Sequence, residues 1–135
     1  MEDMLPETDG KEFPTAAQRM TDAQMVAFLS HLLQEHKGQD VSALDLRGIN
    51  NWTDYFIIAA VTSKTHMDGL ERHIKEFCHE NDIDIKGSSR KASDDEWRLI
   101  DLGSIVIHLM TSSAREFYDL ERLWRRTAQA EAFAH

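Results

Sequence analysis

Tyr55-Phe56-Ile57-Ile58-Ala59-Ala60-Val61 is an unbroken apolar run with no polar face. A strand with one side in water alternates between apolar and polar residues. A continuous run of this length instead marks a central strand covered on both sides. The flanking sequence supplies the cover. Ser63 to Asn81 reads as a helix whose buried stripe is Met67, Leu70, Ile74, Phe77 and Cys78. Upstream, Thr21-Asp22-Ala23-Gln24 is a capping box, in which the Thr21 hydroxyl accepts from the Gln24 amide and the Gln24 side chain reaches back. Met25, Phe28, Leu29, Leu32 and Leu33 follow at helical spacing, and Gly38 ends that helix.

Further strands lie around this centre. Val41 to Leu46 alternates and reads as a strand, followed by a turn at Gly48-Ile49-Asn50-Asn51. Ile83 to Lys86 reads as a short strand and Gly87 to Asp95 as a polar loop. Glu96 to Met110 reads as two strands joined by a tight turn near Asp101-Leu102-Gly103-Ser104. Ser113-Ala114-Arg115-Glu116 is a second capping box that opens the last helix, whose buried stripe is expected to be Phe117, Leu120 and Trp124. The order α-β-β-α-β-β-β-α mixes hairpin-linked and helix-linked strands. It predicts a single α/β domain with a mixed sheet flanked by helices. The domain is expected over residues 19–128, after a mobile acidic tail (1–18) and before a frayed Ala-rich end (129–135).

With 135 residues, the chain is long enough to bury one core. Its net charge of −9 opposes contact with a phosphate backbone and favours a basic protein partner, with ribosomal proteins one such class. No stretch approaches the roughly 20 apolar residues that a bilayer span needs. The N-terminus has no apolar h-region and resembles neither a secretory signal nor a transit peptide. The lone Cys78 excludes an internal disulfide and suits a reducing cytoplasm.

The search for chemistry returns little. His66 and His73 share one helical face, but no spacing among the seven histidines matches a metal motif. Gly87-Ser88 with nearby acids suggests the Gly-Ser and paired-Asp pattern of nucleotidyltransferases, which need two adjacent carboxylates to hold Mg²⁺. Asp94 and Asp95 are expected to face different ways, Asp101 stands alone near the hairpin turn, and Asp82 and Asp84 precede the glycine. Neither glycine-rich phosphate loop is present, and no serine has a base beside it in sequence. Neither a catalytic residue, a metal ligand nor a cofactor is expected. What stands out is surface chemistry on the hairpin and last helix. Trp97, Leu99 and Asp101 share one face of their strand, and Arg98, Ile100 and Leu102 share the other. Trp97 reads either as core or, with Leu102 at the hairpin rim, as an interface anchor. Tyr118 lies off the helix stripe with Arg115 and Arg122, on a face that is either solvated or a contact surface.

Four segments appear in order: D-V-S-A-L-D-L-R-G (40–48), T-D-Y-F-I-I-A-A-V-T-S (53–63), W-R-L-I-D-L-G-S-I-V-I-H-L-M (97–110) and R-E-F-Y-D-L-E-R-L-W (115–124). Together they closely resemble the ribosomal silencing factor family, also called Iojap-type proteins, from about Met25 to Trp124. The resemblance implies a nucleotidyltransferase-like α/β fold without the catalytic residues. It also implies a non-enzymatic, cytoplasmic translational repressor. Such a protein binds the large ribosomal subunit through ribosomal protein number fourteen and blocks subunit joining when nutrients are scarce. A role in large-subunit biogenesis goes with it, with little direct RNA contact, no membrane association and a homodimer possible when free.

Carried over by motif, the expected partner-binding residues are Trp97, Asp101, Leu102, His108, Arg115 and Tyr118. Asp54 and Tyr55 match the T-D-Y-F element. Members commonly carry Glu-Gly where this chain has Lys86-Gly87, so no partner contact is carried over to Lys86. Two other readings stay open at this level: a transferase that retains Mg²⁺-dependent activity, and a homodimeric adaptor using the hairpin or last helix.

Overall fold

The computed structural model describes residues 20–49, 51–89 and 96–122. The expectations for the acidic tail, for Asp94 and Asp95, for Trp124 and for the C-terminal end lie outside these residues. Helix α1 (Asp22–Glu35) leads into β1 (Gln39–Asp45) and β2 (Tyr55–Val61). Helix α2 (Lys64–Glu80) is followed by β3 (Gly87–Ser89), β4 (Trp97–Asp101), β5 (Ile105–Thr111) and the short helix α3 (Ser112–Tyr118). The five strands form one sheet in the order β1-β2-β5-β4-β3. Only β2 and β5 run parallel, with Tyr55 opposite Ile105 and Val61 opposite Thr111. The other neighbours are antiparallel, so the sheet is mixed as expected.

Every residue of β2 is buried. Its alternation feeds two cores. Tyr55, Ile57, Ala59 and Val61 join Ile105, Ile107 and Leu109 under α1 and α2, against Leu29, Leu33, Met67, Leu70 and Ile74. Phe56 and Ile58 join Leu44, Val106, Met110 and Ala114 on the opposite face, with Trp97, Leu99 and Leu120 packed partly buried around them. The first face lies under two helices of 14 and 17 residues. The second is crossed by a seven-residue helix. We call these the helical face and the open face.

The capping box of α1 forms as read: the Gln24 amide donates to Thr21 Oγ1 at 3.1 Å, and the Thr21 amide to Gln24 Oε1 at 2.9 Å. At its other end Lys37, not Gly38, takes the left-handed conformation (φ 74°). Gly38 is needed for closeness: its amide donates to the Leu33 carbonyl at 2.7 Å, and a Cβ there would lie 2.8 Å from that oxygen. Several expectations need correction. Phe28 is 56% exposed, and Val26 takes its place in the buried stripe. The short third strand lies at Gly87–Ser89, and Ile83 to Lys86 is irregular chain. The last helix is capped by Thr111, whose Oγ1 accepts from the Ala114 amide, so Ser113 does not cap it. It stops at Asp119, which is left-handed (φ 47°), and Phe117 is 81% exposed instead of buried.

A charged cluster unseen in the sequence lies on the helical face. Arg98 of β4 is fully buried and donates to Glu71 at 2.9 Å and to Asp68, both on α2. Glu71, itself buried, also takes Lys75 at 3.1 Å and the Ser88 hydroxyl at 3.0 Å. The hydrogen bond from Arg98 holds the Asp68 carboxyl below its ordinary pKa. A buried carboxylate that loses its cation keeps its desolvation cost. Arg98→Met is therefore expected to destabilise the fold by about 3 kcal/mol, while the double variant Arg98→Met, Glu71→Leu recovers much of that loss. Urea denaturation of the two variants checks this; equal stabilities would contradict it.

Candidate functional site

The open face is where chemistry meets solvent. A run of rings crosses it from the loop before β2 to the end of α3. Trp52 lies 5.6 Å from Phe56 between ring centroids, and Phe56 meets His108 edge-on at 4.5 Å. His108 lies 5.9 Å from Trp97, Trp97 4.8 Å from Tyr118, and Tyr118 5.0 Å from Phe117. The inner rings are buried and the outer ones emerge: Trp52 is 55% exposed, Tyr118 49% and Phe117 81%.

His108 organises the centre. It is 3% exposed, and the Trp97 indole N–H donates to its Nδ1 at 3.0 Å. An Nδ1 that accepts puts the ring proton on Nε2 and makes the imidazole neutral. Among the described residues Nε2 has no hydrogen-bond partner. Burial depresses the pKa from 6.5 to about 4. The neutral ring thus fixes the Trp97 side chain, and protonation removes its acceptor.

The remaining candidates separate. Leu102 is 9% exposed and belongs to the helical-face core, on the side of the sheet opposite Trp97. A single patch centred on Trp97 and Leu102 therefore does not exist, because strand alternation divides them. His108 lies too deep to touch a partner and acts through Trp97. Asp101 is half-buried and shapes the hairpin: its Oδ1 accepts from the Gly103 amide at 2.8 Å, where Gly103 has φ 95°. Arg115 is a clamp. It donates to both carboxylate oxygens of Glu121, at 2.8 and 2.9 Å, and to the Gln39 carbonyl at 3.2 Å, tying α3 to the edge strand β1. Trp97, His108 and Tyr118 are the three candidates brought together, with Trp97 between the other two. The sequence reading missed Phe117, because helical periodicity places it on the buried stripe only if the helix continues past Asp119.

The histidines form a seam instead of a metal site. His66 Nδ1 accepts from the Thr62 amide at 3.1 Å, and its Nε2 lies 3.0 Å from the His36 carbonyl. His36 and His73 stack at 3.6 Å. Among the described residues no group of three or more His, Cys, Asp or Glu could hold a metal ion. Asp82 and Asp84 are exposed, and burial pushes the Cys78 thiol up to about 11, which leaves it unreactive. No helix among the described residues is long and apolar enough to cross a membrane.

Fold and surface together define a small α/β domain whose distinctive feature is an aromatic face. The family model described as ribosomal silencing factor during starvation matches residues 19–134. The chain belongs to this family. A ribosomal silencing factor of Haemophilus influenzae is 34% identical over 100 residues, covering 74% of this chain and 97% of that one. The ribosomal silencing factor of Bacillus subtilis is 30% identical over 105 residues, covering 78% and 88%. A mouse protein named for mitochondrial assembly of the ribosomal large subunit is 33% identical over 103 residues, covering 73% of this chain and 44% of its own. A crystal structure of a Chromobacterium violaceum protein superposes with a TM-score of 0.68 at 31% identity, over 75% of this chain and 84% of that one.

The depressed His108 pKa has a signed consequence. Above pH 6.5 both folded and unfolded imidazoles are neutral. As pH falls from about 6.5 toward 4, the unfolded chain takes a proton that the fold excludes, and stability drops by on the order of 3 kcal/mol. In a histidine NMR titration, the His108 ring is expected to stay neutral at pH 5.5. A His108 midpoint near 6.5 would contradict the assignment.

Proposed function

We propose that this protein is a non-catalytic translational regulator that docks on the large ribosomal subunit. Its target there is ribosomal protein number fourteen, and its bulk blocks the small subunit from joining when nutrients are scarce. A part in large-subunit assembly belongs to the same reading, as does a cytoplasmic setting. Membership of the ribosomal silencing factor family supports it. The name of the mouse relative supports the assembly role.

The observation that carries the docking surface is the exposed outer end of the aromatic run: Trp97, Tyr118 and Phe117 in contact, with Phe117 81% exposed. Contiguous aromatics left in water mark interaction sites, and Trp and Tyr are enriched among residues that dominate binding energy. Trp97 is held from behind by His108, so little side-chain freedom remains to be lost on binding. The charge of −9 disfavours ribosomal RNA and favours a basic protein surface, steering approach without any chemical step. Asp101, Leu102, His108 and Arg115 serve this surface by shaping the turn, core and clamp around it.

In sucrose-gradient sedimentation with purified subunits, the protein is expected to co-migrate with large subunits and to lower the yield of joined ribosomes. Trp97→Ala is expected to weaken that binding by at least about 2 kcal/mol. Phe117→Ser is expected to weaken it by about 1 kcal/mol while leaving the melting temperature unchanged, since its ring lies mainly in water. A wild-type protein that stays at the top of the gradient would overturn the reading.

A further inference from the structure

Helix α3 has seven residues, too few to persist in water on its own hydrogen bonds. It is held from two directions. On β4, the Trp97 ring meets Tyr118 at 4.8 Å. From β1 and from the chain beyond the helix, further groups converge on Arg115. Its Nε and Nη2 donate to the two carboxylate oxygens of Glu121 at 2.8 and 2.9 Å, and its Nη1 donates to the Gln39 carbonyl at 3.2 Å. The Ser42 hydroxyl donates to Glu121 Oε2 at 2.5 Å and accepts from Arg115 Nη2 at 3.4 Å, which closes the network. β1 and β4 are three places apart in the sheet, so the helix is gripped across most of the open face.

Two backbone features serve this network. Asp119, left-handed at φ 47°, breaks the helix and turns the chain, so that Glu121 returns to Arg115 from six residues away. An unbroken helix would instead pair residues three or four apart. On β1 the register shifts between Gln39 and Ser42, and Asp40 takes φ 49°. Such an irregularity re-aims the groups around it, and here Gln39 offers its carbonyl and Ser42 its hydroxyl to the clamp. Left-handed backbone at a non-glycine residue persists where its surroundings over-determine it. The ion pair is bidentate and mostly out of water, with the Arg115 side chain 14% and the Glu121 side chain 22% exposed. That is the geometry in which such a pair holds firmly.

We propose that Ser42, Arg115 and Glu121 are positioning residues of the docking face. Their clamp closes the stretch from Arg115 to Glu121 into a rigid tip that presents Phe117 and Tyr118, beside Trp97, to the basic protein that the face binds. This rests on the docking reading above and deepens it. Both rings lie between the two clamped ends. Arg115 and Glu121 neutralise each other, so the clamp acts through order and not through charge. A tip ordered in advance loses less freedom when a partner covers it.

The experiment measures the affinity of the full chain for purified large ribosomal subunits. It compares wild type with Trp97→Ala, Arg115→Ala, Glu121→Ala, the double variant Arg115→Ala, Glu121→Ala, and with Ser42→Ala and Ser42→Thr. Thermal melts confirm that each is folded, and amide hydrogen exchange at Tyr118 and Asp119 is followed in the free proteins. Arg115→Ala and Glu121→Ala are each expected to weaken binding about five- to tenfold and to speed that exchange. The double variant is expected to bind no worse than either single one, because both break one clamp. Ser42→Ala is expected to weaken binding about threefold, and Ser42→Thr, which keeps the hydroxyl, to stay within about twofold of wild type. Should loss of either charged residue unfold the chain, the two Ser42 variants decide alone. Losses that add in the double variant, with exchange unchanged, would overturn the clamp and assign both side chains to direct contact with the partner. Wild-type affinity in Glu121→Ala and Ser42→Ala beside a weakened Trp97→Ala would overturn the positioning role and leave the docking reading standing. No binding by wild type would overturn the docking reading and the clamp's part in it.

Discussion

The fold depends on one demand: β2 has no residue that can face water, so its sheet must be covered twice. The chain meets that demand unequally. Two long helices close one face, and a seven-residue helix ending at Asp119 crosses the other. Among the described residues, rings line that second face, packing inward through Phe56 and His108 and outward through Trp52, Trp97, Tyr118 and Phe117. These rings are therefore both a packing solution and the source of the exposed aromatic surface.

β4 shows how the two faces are tied. Its adjacent residues Trp97 and Arg98 point to opposite sides. Arg98 is held under α2 by Glu71 and Asp68. Trp97 is held on the open face by a neutral imidazole that burial keeps from protonating. Two polar contacts of different kinds, one ionic and one dependent on neutrality, fix a short strand near the sheet's edge. A tryptophan so held is prepared for a partner before the partner arrives.

Much of the fold is legible in the sequence because its signals are local. The apolar run at Tyr55–Val61, the capping box at Thr21 and the turn around Gly103 are each set by residues a few positions apart, and each forms as read. Alternation along Trp97–Leu102 also holds, and the same alternation rules out a shared patch for Trp97 and Leu102. What escapes is non-local. The Arg98–Glu71 pair joins residues 27 positions apart, and nothing in either neighbourhood announces it. Phe117 is misread because a periodic stripe assumes a helix that continues, whereas a left-handed Asp119 ends it one residue after Tyr118. His108 reads as a partner-binding residue by its motif, and only the fold shows it buried beneath Trp97 as the acceptor of the indole N–H.

The central claim is that the aromatic face, not the helical one, meets the ribosome. Phe28, 56% exposed on α1, provides an internal control on the far side. Hydroxyl-radical footprinting of the protein with and without saturating large subunits reads both faces at once. The account predicts that oxidation of Trp97, Tyr118 and Phe117 falls on binding while that of Phe28 is unchanged. Protection of Phe28 with Phe117 and Tyr118 left reactive would contradict it.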